Sequence, residues 1–199
     1  MKVILASQNQ HKLVELSAIL SQLGFEIALE SEYGLHVDVD ETGTTFEENS
    51  LLKAEAVMKA SGMPVLADDS GLMVDALDGA PGVYSARYGH KSSDAERIAY
   101  LLENLKDVPA ERRTAKFVCV ITCRWPDGRR IVARGECPGQ RFCKMPEAAA
   151  RDDPPAVRPE LEKTYAELAP EEKNAISHRA RALQAFCRIY REEFEHDDK

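Results

Sequence analysis

Two runs rich in β-branched residues, Lys116 to Arg124 and Arg129 to Gly135, flank the tetrapeptide Trp125-Pro126-Asp127-Gly128. A Pro-Asp-Gly turn signal between such runs predicts a β-hairpin. A second signal lies at the start of the chain. The apolar run Lys2 to Ala6 stops at the polar cluster Ser7-Gln8-Asn9-Gln10-His11-Lys12, after which Leu13, Leu16, Leu20 and Leu23 recur at helical spacing. That is strand, loop, helix. With the hairpin it requires a mixed sheet, which the other elements must extend or cover. Pro64 to Ala67 has the composition of a buried strand. A helix is expected over Phe46 to Ala60, with Leu51, Ala54 and Met58 on one face and Gly62 beyond its end. Another begins at Ser92 or Ser93, carries Asp94 and Glu96 in its first turn, and turns Ile98, Leu101, Leu102 and Leu105 inward. The last starts near Ser177 and buries Leu183, Phe186, Ile189 and Tyr190.

Between Cys137 and Pro159 the periodicity disappears under Pro138, Pro146, Pro154, Pro155 and Pro159. Residues 138–160 are therefore expected to be irregular, and 195–199 to be a frayed tail. At 199 residues without an internal repeat, the expectation is one domain spanning 1–199.

Composition narrows the function. The chain is 44% hydrophobic and 30% charged, as expected of an ordinary globular protein. Its formal net charge of −8 disfavours nucleic-acid polymers, whose binding depends on many Lys and Arg contacts, but leaves room for a single nucleotide in a local basic pocket with magnesium. No stretch approaches the roughly 18 apolar residues that would span a bilayer. Polar Ser7 to Lys12 cuts the N-terminal apolar run too short for a signal peptide, so the expected location is the cytoplasm. Cys119, Cys123, Cys137, Cys143 and Cys187 are odd in number and lack metal-ligand spacing; they read as reduced thiols.

Three segments could carry chemistry. In Ser7-Gln8-Asn9-Gln10-His11-Lys12, helix-terminal N–H groups, Ser7, Asn9 and Lys12 could surround a phosphate, although a plain polar connection has the same composition. Asp38, Asp40 and Glu41 precede a helix bearing Glu47, Glu48, Asn49 and Lys53, and Asp68-Asp69-Ser70-Gly71 follows the strand Pro64 to Ala67. Those carboxylates suit magnesium, which takes one or two with phosphate oxygens and water. Asp69 beside a metal could serve as base for a water. Asp68 to Gly71 equally fits an ordinary β-turn, and Asp38 a solvated charge. Finally, Ser177 would cap the last helix with His178 and Arg179 in its first turn, where positive charge is unfavourable unless an anion lies nearby; Lys173 is close in sequence.

Taken in order, Ser7-x-Asn9-x-x-Lys12, Glu41-Thr42-Gly43-x-Thr45-Phe46-x-Glu48-Asn49, Ala67-Asp68-Asp69-Ser70-Gly71-Leu72, Gly79-Ala80-Pro81-Gly82-Val83-Tyr84-Ser85-Ala86-Arg87-Tyr88 and Ser177-His178-Arg179-Ala180 resemble the inosine triphosphate pyrophosphatase family over most of the chain. The resemblance implies an α/β fold with a mixed twisted sheet, flanking helices and two lobes around a central nucleotide-binding cleft, in a homodimer. It implies Mg2+-dependent hydrolysis of non-standard purine nucleoside triphosphates (ITP, dITP, XTP) to monophosphate and pyrophosphate. By the same resemblance Asp69 is the catalytic base and a metal ligand, with Asp40 and Glu41 as the second acidic site. Ser7, Gln8, Asn9, Gln10, His11, Lys12 and Lys53 serve the triphosphate, Ser70 contacts substrate, and Asp153, Lys173, His178 and Arg179 belong to the base side. Hydrogen bonds to a 6-keto group there would reject adenine, whose amino group would bring a donor against a donor.

One departure stands out. The family carries Gly-Phe-Gly-Tyr-Asp-Pro, or a near variant, where this chain has Ala149-Ala150-Arg151-Asp152-Asp153-Pro154. The aromatic that stacks on the purine is missing. Base stacking is worth about 1–3 kcal/mol. Two further readings follow: a nucleotide-binding protein impaired in turnover, and an enzyme of the same fold with another nucleotide. Matching sequence resumes at Lys163-Thr164-Tyr165-Ala166-Glu167-Leu168, which suggests a local reading-frame disturbance or decayed coding sequence over Arg141 to Arg158.

Overall fold

The computed structural model describes residues 1–139, 157–158, 163–164 and 177–194. Strands β1 (Lys2–Leu5), β2 (Glu26–Leu29), β3 (Val65–Val74), β4 (Ala115–Arg124) and β5 (Arg130–Gly139) form one sheet in the order β2-β1-β3-β4-β5. Helices α1 (Gln10–Leu20), α2 (Phe46–Ser61), α3 (Asp94–Asn104) and α4 (His178–Phe194) accompany it. β1 runs parallel to both its neighbours, with Ile4 opposite Val65 and Leu5 opposite Leu66. β6 (Val157–Arg158) and β7 (Lys163–Thr164) form a separate antiparallel pair.

The mixed α/β architecture and the hairpin are as expected, with four differences among the strands. β2 is only four residues long and lacked a readable pattern. β5 continues four residues beyond Gly135, and β6 falls inside the segment expected to be irregular. Most consequential, β3 does not end at Ala67. It continues through Asp68, Asp69, Ser70 and Gly71 to Val74, so these residues form neither a β-turn nor the end of a strand. They are the middle of one.

Local chemistry fixes the helix ends. Thr45 Oγ1 accepts the Glu48 N–H at 3.1 Å while Glu48 Oε2 accepts the Thr45 N–H at 3.2 Å, a reciprocal cap at the start of α2. Gly62 closes that helix in the left-handed region (φ 66°) and donates to the Met58 carbonyl. The inward face of α2 differs from the expected one: Phe46, Asn49, Ser50, Ala54 and Val57 are buried, and Leu51 and Met58 lie at its margins. Ser93 caps α3, with Glu96 as its reciprocal partner.

The chain divides into two compact units: Met1–Asp69 with Cys119–Gly135 and Arg179–Lys199, and Ser70–Val118 with Glu136–His178. In the first unit the two faces of the sheet hold separate cores. Val3, Leu5, Leu66, Cys119 and Ile121 pack with Leu16, Leu20, Leu183 and Phe186 of α1 and α4. Ile4, Val65 and Ala67 pack with Ala54 and Val57 of α2. The second unit has its own core of Leu72, Val74, Leu101, Leu105, Ala115, Phe117 and Cys137. No described helix is long and apolar enough to cross a membrane.

Candidate active site

Successive side chains of a strand point to opposite faces. Leu66 joins the α1/α4 core and Val65 and Ala67 the α2 core, so the alternation sends Asp68 toward α1 and α4, and Asp69 toward α2. The side-chain contacts follow that parity.

Asp68 is 1% exposed, and both its oxygens are committed to cations. Lys12 Nζ of α1 donates to Oδ1 at 2.8 Å, and Arg179 Nη2 of α4 to Oδ2 at 3.4 Å. Arg179 Nη1 also donates to Glu15 Oε2 at 2.6 Å. Burial alone would raise the Asp68 pKa; Lys12 and Arg179 more than cancel it and hold the carboxyl well below its usual range. This resolves the unfavourable positive charge in the first turn of α4. The neutralising anions are internal carboxylates.

On the opposite face, Lys53 Nζ lies 2.9 Å from Glu41 Oε1 and 3.1 Å from Asp69 Oδ1. Burial would weaken the ammonium form of Lys53, but Asp69 and Glu41 raise its pKa above normal. Asp69 is shifted up, chiefly by burial and against the pull of Lys53, which makes it a stronger base than a solvated aspartate. Its Oδ2 is buried and completes no hydrogen bond. Glu41 lies on the irregular segment before α2, where Val37, Val39 and Glu41 are half-buried and Asp38 and Asp40 are exposed. Asp40 thus lies out of phase with Glu41.

The Glu41 and Asp69 carboxylates, brought together at Lys53, are a donor set that fits magnesium, which needs one or two such ligands and completes its shell with phosphate and water. Among the described residues no three His, Cys, Asp or Glu side chains are gathered around one point. A cation here would depend on the substrate for further ligands.

In the loop before α1, the Asn9 side chain caps the helix by accepting from the N–H groups of His11 at 2.9 Å and Lys12 at 3.3 Å. Ser7 Oγ accepts from the Asn9 N–H at 3.1 Å. Gln8 donates to buried Glu30 at 3.2 Å, while Gln10 and His11 are exposed. Two of the helix-terminal N–H groups are thus already occupied by Asn9, and Lys12 supplies the positive charge.

In the second unit Ser70 is half-buried on β3, and buried His178 stacks on Phe117, ring centroids 5.2 Å apart at 21°. Asp153 and Lys173 lie outside the described residues. Sequence reasoning missed Glu15, Phe117 and the inward aim of Asn49. Helical spacing could have found two of them: Glu15 is three residues from Lys12, and Asn49 four from Lys53.

Fold and site together define an α/β protein with a carboxylate-lysine centre suited to a divalent cation and a phosphorylated ligand. Residues 3–189 match the family described as the Ham1 family, and the chain belongs to it. A dITP/XTP pyrophosphatase of Exiguobacterium sibiricum is 47% identical over 186 residues, covering 92% of this chain and 94% of its own. One of Thermus thermophilus is 44% identical over 194 residues, 96% of this chain and 93% of its own. The Ham1 protein of Staphylococcus aureus superimposes with a TM-score of 0.85 at 40% identity, covering 97% of this chain and all of that one. That of Coxiella burnetii gives 0.86 at 39% identity over 96% and 99%.

Proposed function

We propose that this chain hydrolyses dITP, ITP and XTP to the monophosphate and pyrophosphate, with Mg2+ as cofactor, removing non-standard purines from the nucleotide pool of the cytoplasm as a homodimer. The observation that carries the reading is the Asp69 centre: a buried, basicity-enhanced carboxylate with one oxygen on Lys53 and the other unsatisfied. Near-full-length similarity to curated dITP/XTP pyrophosphatases supports the substrate class.

In this reading Asp69 and Glu41 hold the cation, with Asp40 as a further acidic residue nearby. Bound there, magnesium would neutralise charge on the triphosphate. Lys12 and Lys53 stabilise the phosphate charge that develops as the anhydride bond breaks. Asp69 accepts the proton of the attacking water, for which its raised pKa suits it. Ser7 to His11 and Ser70 position the phosphates. His178 and Arg179, with Lys173 and Asp153, read the base. Arg179 is held by Asp68 and Glu15, so it presents a fixed guanidinium rather than a mobile one.

The test is pyrophosphate release from dITP, ITP and XTP against dGTP and ATP, with magnesium. Pyrophosphate as the direct product, abolished in Asp69→Asn, is expected. Orthophosphate as the direct product would overturn the reaction class.

A further inference from the structure

Asn49 lies in the first turns of α2 and is fully buried. Its Oδ1 accepts the Gly43 N–H at 2.8 Å. Because a backbone N–H can only donate, that bond fixes which end of the amide is oxygen. The Nδ2 end is therefore the end that reaches the Asp69 carboxylate, whose charged form it favours. The two groups do not complete a direct hydrogen bond: Asn49 Nδ2 and Asp69 Oδ2 are both buried and both unsatisfied within the protein. A donor and an acceptor are thus left side by side, next to the Lys53 ammonium and its partner Glu41. Buried polar atoms are rarely left unpaired, and those that are often serve chemistry.

The site is built to keep this orientation. A Cβ on Gly43 would come within 2.6 Å of both Asn49 Oδ1 and Glu48 Cβ, so only glycine lets the loop approach closely enough for its N–H to engage the amide. The loop is further held by Glu48, whose Oε2 accepts from Thr44 N–H at 2.6 Å and Thr44 Oγ1 at 2.9 Å. The amide cannot flip without setting Nδ2 against the Gly43 N–H, donor against donor.

We propose that Asn49 is a catalytic residue that orients the attacking water. One water matches the pair of unsatisfied atoms, its oxygen accepting from Asn49 Nδ2 and one hydrogen donating to Asp69 Oδ2. That leaves a lone pair directed away from both side chains. In the step itself the water oxygen bonds to phosphorus, its proton passes to Asp69 Oδ2, and the phosphoanhydride bond breaks with its electron pair leaving on the departing product. This rests on the reading of Asp69 as the base and adds the group that aims the nucleophile.

Two variants separate the ends of the amide. Asn49→Asp keeps an acceptor for Gly43 and removes the donor; Asn49→Leu removes both at similar volume. Assays use magnesium and ITP at mildly alkaline pH. Mn2+ binding followed by electron paramagnetic resonance, and binding of an ITP analogue with a methylene between its α and β phosphorus atoms, report the site independently of turnover. The expected result is a fall in kcat of about 10²-fold or more in both variants, with KM and Mn2+ affinity within about threefold of wild type. Asn49→Asp with near wild-type kcat would overturn the proposal, because holding the loop would then be enough. So would a loss confined to KM or Mn2+ affinity. Should the added charge unfold α2, Asn49→Leu decides by the same division between kcat and binding. A wild-type chain that releases no pyrophosphate would instead remove the function on which the proposal rests.

Discussion

Replacing Asp68 with asparagine preserves its volume and removes the charge shared by Lys12 and Arg179. Asp68 is 1% exposed, and the side chains of Lys12 and Arg179 are 23% and 15% exposed, so the pair lies mostly out of water. Removing one member of a buried ion pair costs about 3–5 kcal/mol. Lys12 can turn toward solvent and Arg179 keeps Glu15, which places Asp68→Asn near the lower end, about 3 kcal/mol. For a chain of this length that is about 6–12 °C in Tm. The pH dependence has a definite sign. The Asp68 pKa is depressed in the folded state, so its stabilisation is fully present above the unfolded value of about 3.9 and is lost as pH falls through the folded value. Thermal unfolding with chelator, followed by circular dichroism from neutral to acid pH, should show a constant gap between wild type and variant down to about pH 5 and a narrowing gap below about pH 4. An Asp68→Asn protein as stable as wild type at neutral pH, or a gap that widens in acid, would refute this account.

Gly43→Ala should destabilise by about 1–3 kcal/mol through overpacking against Asn49 and Glu48, and calorimetry should show weaker divalent-cation binding as Glu41 shifts with the loop. Lys53→Met removes the cation that lowers the Asp69 pKa, so the acid limb of the kcat/KM profile should move to higher pH; an unmoved limb would show that Asp69 is not the titrating base. Cys119 is fully buried, and burial followed by Asp68 pushes its thiol up to about 12. It should stay unalkylated in the native protein under conditions that label the unfolded chain completely, as read by peptide mass spectrometry.

Much of the fold was legible because its signals are local. The hairpin around Trp125-Pro126-Asp127-Gly128, the Ser93 cap and the Gly62 stop depend on a few neighbouring residues each, and all three form as the pattern required. β2 carried no such signal: four residues gain their place from pairing with β1 rather than from their own preference. The inward face of α2 was misjudged for a related reason. Leu51 and Met58 are the more apolar candidates, yet Asn49 and Ser50 are buried in their stead, Asn49 holding Gly43 and Ser50 sharing a 2.7 Å hydrogen bond with Thr122 of β4. Hydrophobic spacing cannot register a polar residue whose burial depends on a partner distant in the chain.

The site was half legible, and the missing half turns on strand parity. Read as a turn, Asp68 and Asp69 are interchangeable carboxylates at the tip of a loop. Within β3 they are not interchangeable, because a one-residue step reverses the face. Leu66, two residues before Asp68, lies in the α1/α4 core, and Ala67, two before Asp69, lies in the α2 core. Asp68 therefore meets Lys12 and Arg179 and spends both oxygens on them, while Asp69 meets Lys53 and keeps one oxygen unsatisfied. The same burial that raises both carboxyls is overcome at Asp68 by two cations and not at Asp69, where Lys53 is shared with Glu41. Two identical residues in sequence thus become a fixed counter-ion and a carboxylate of raised pKa with one oxygen unsatisfied, and what distinguishes them is which side of one strand each occupies.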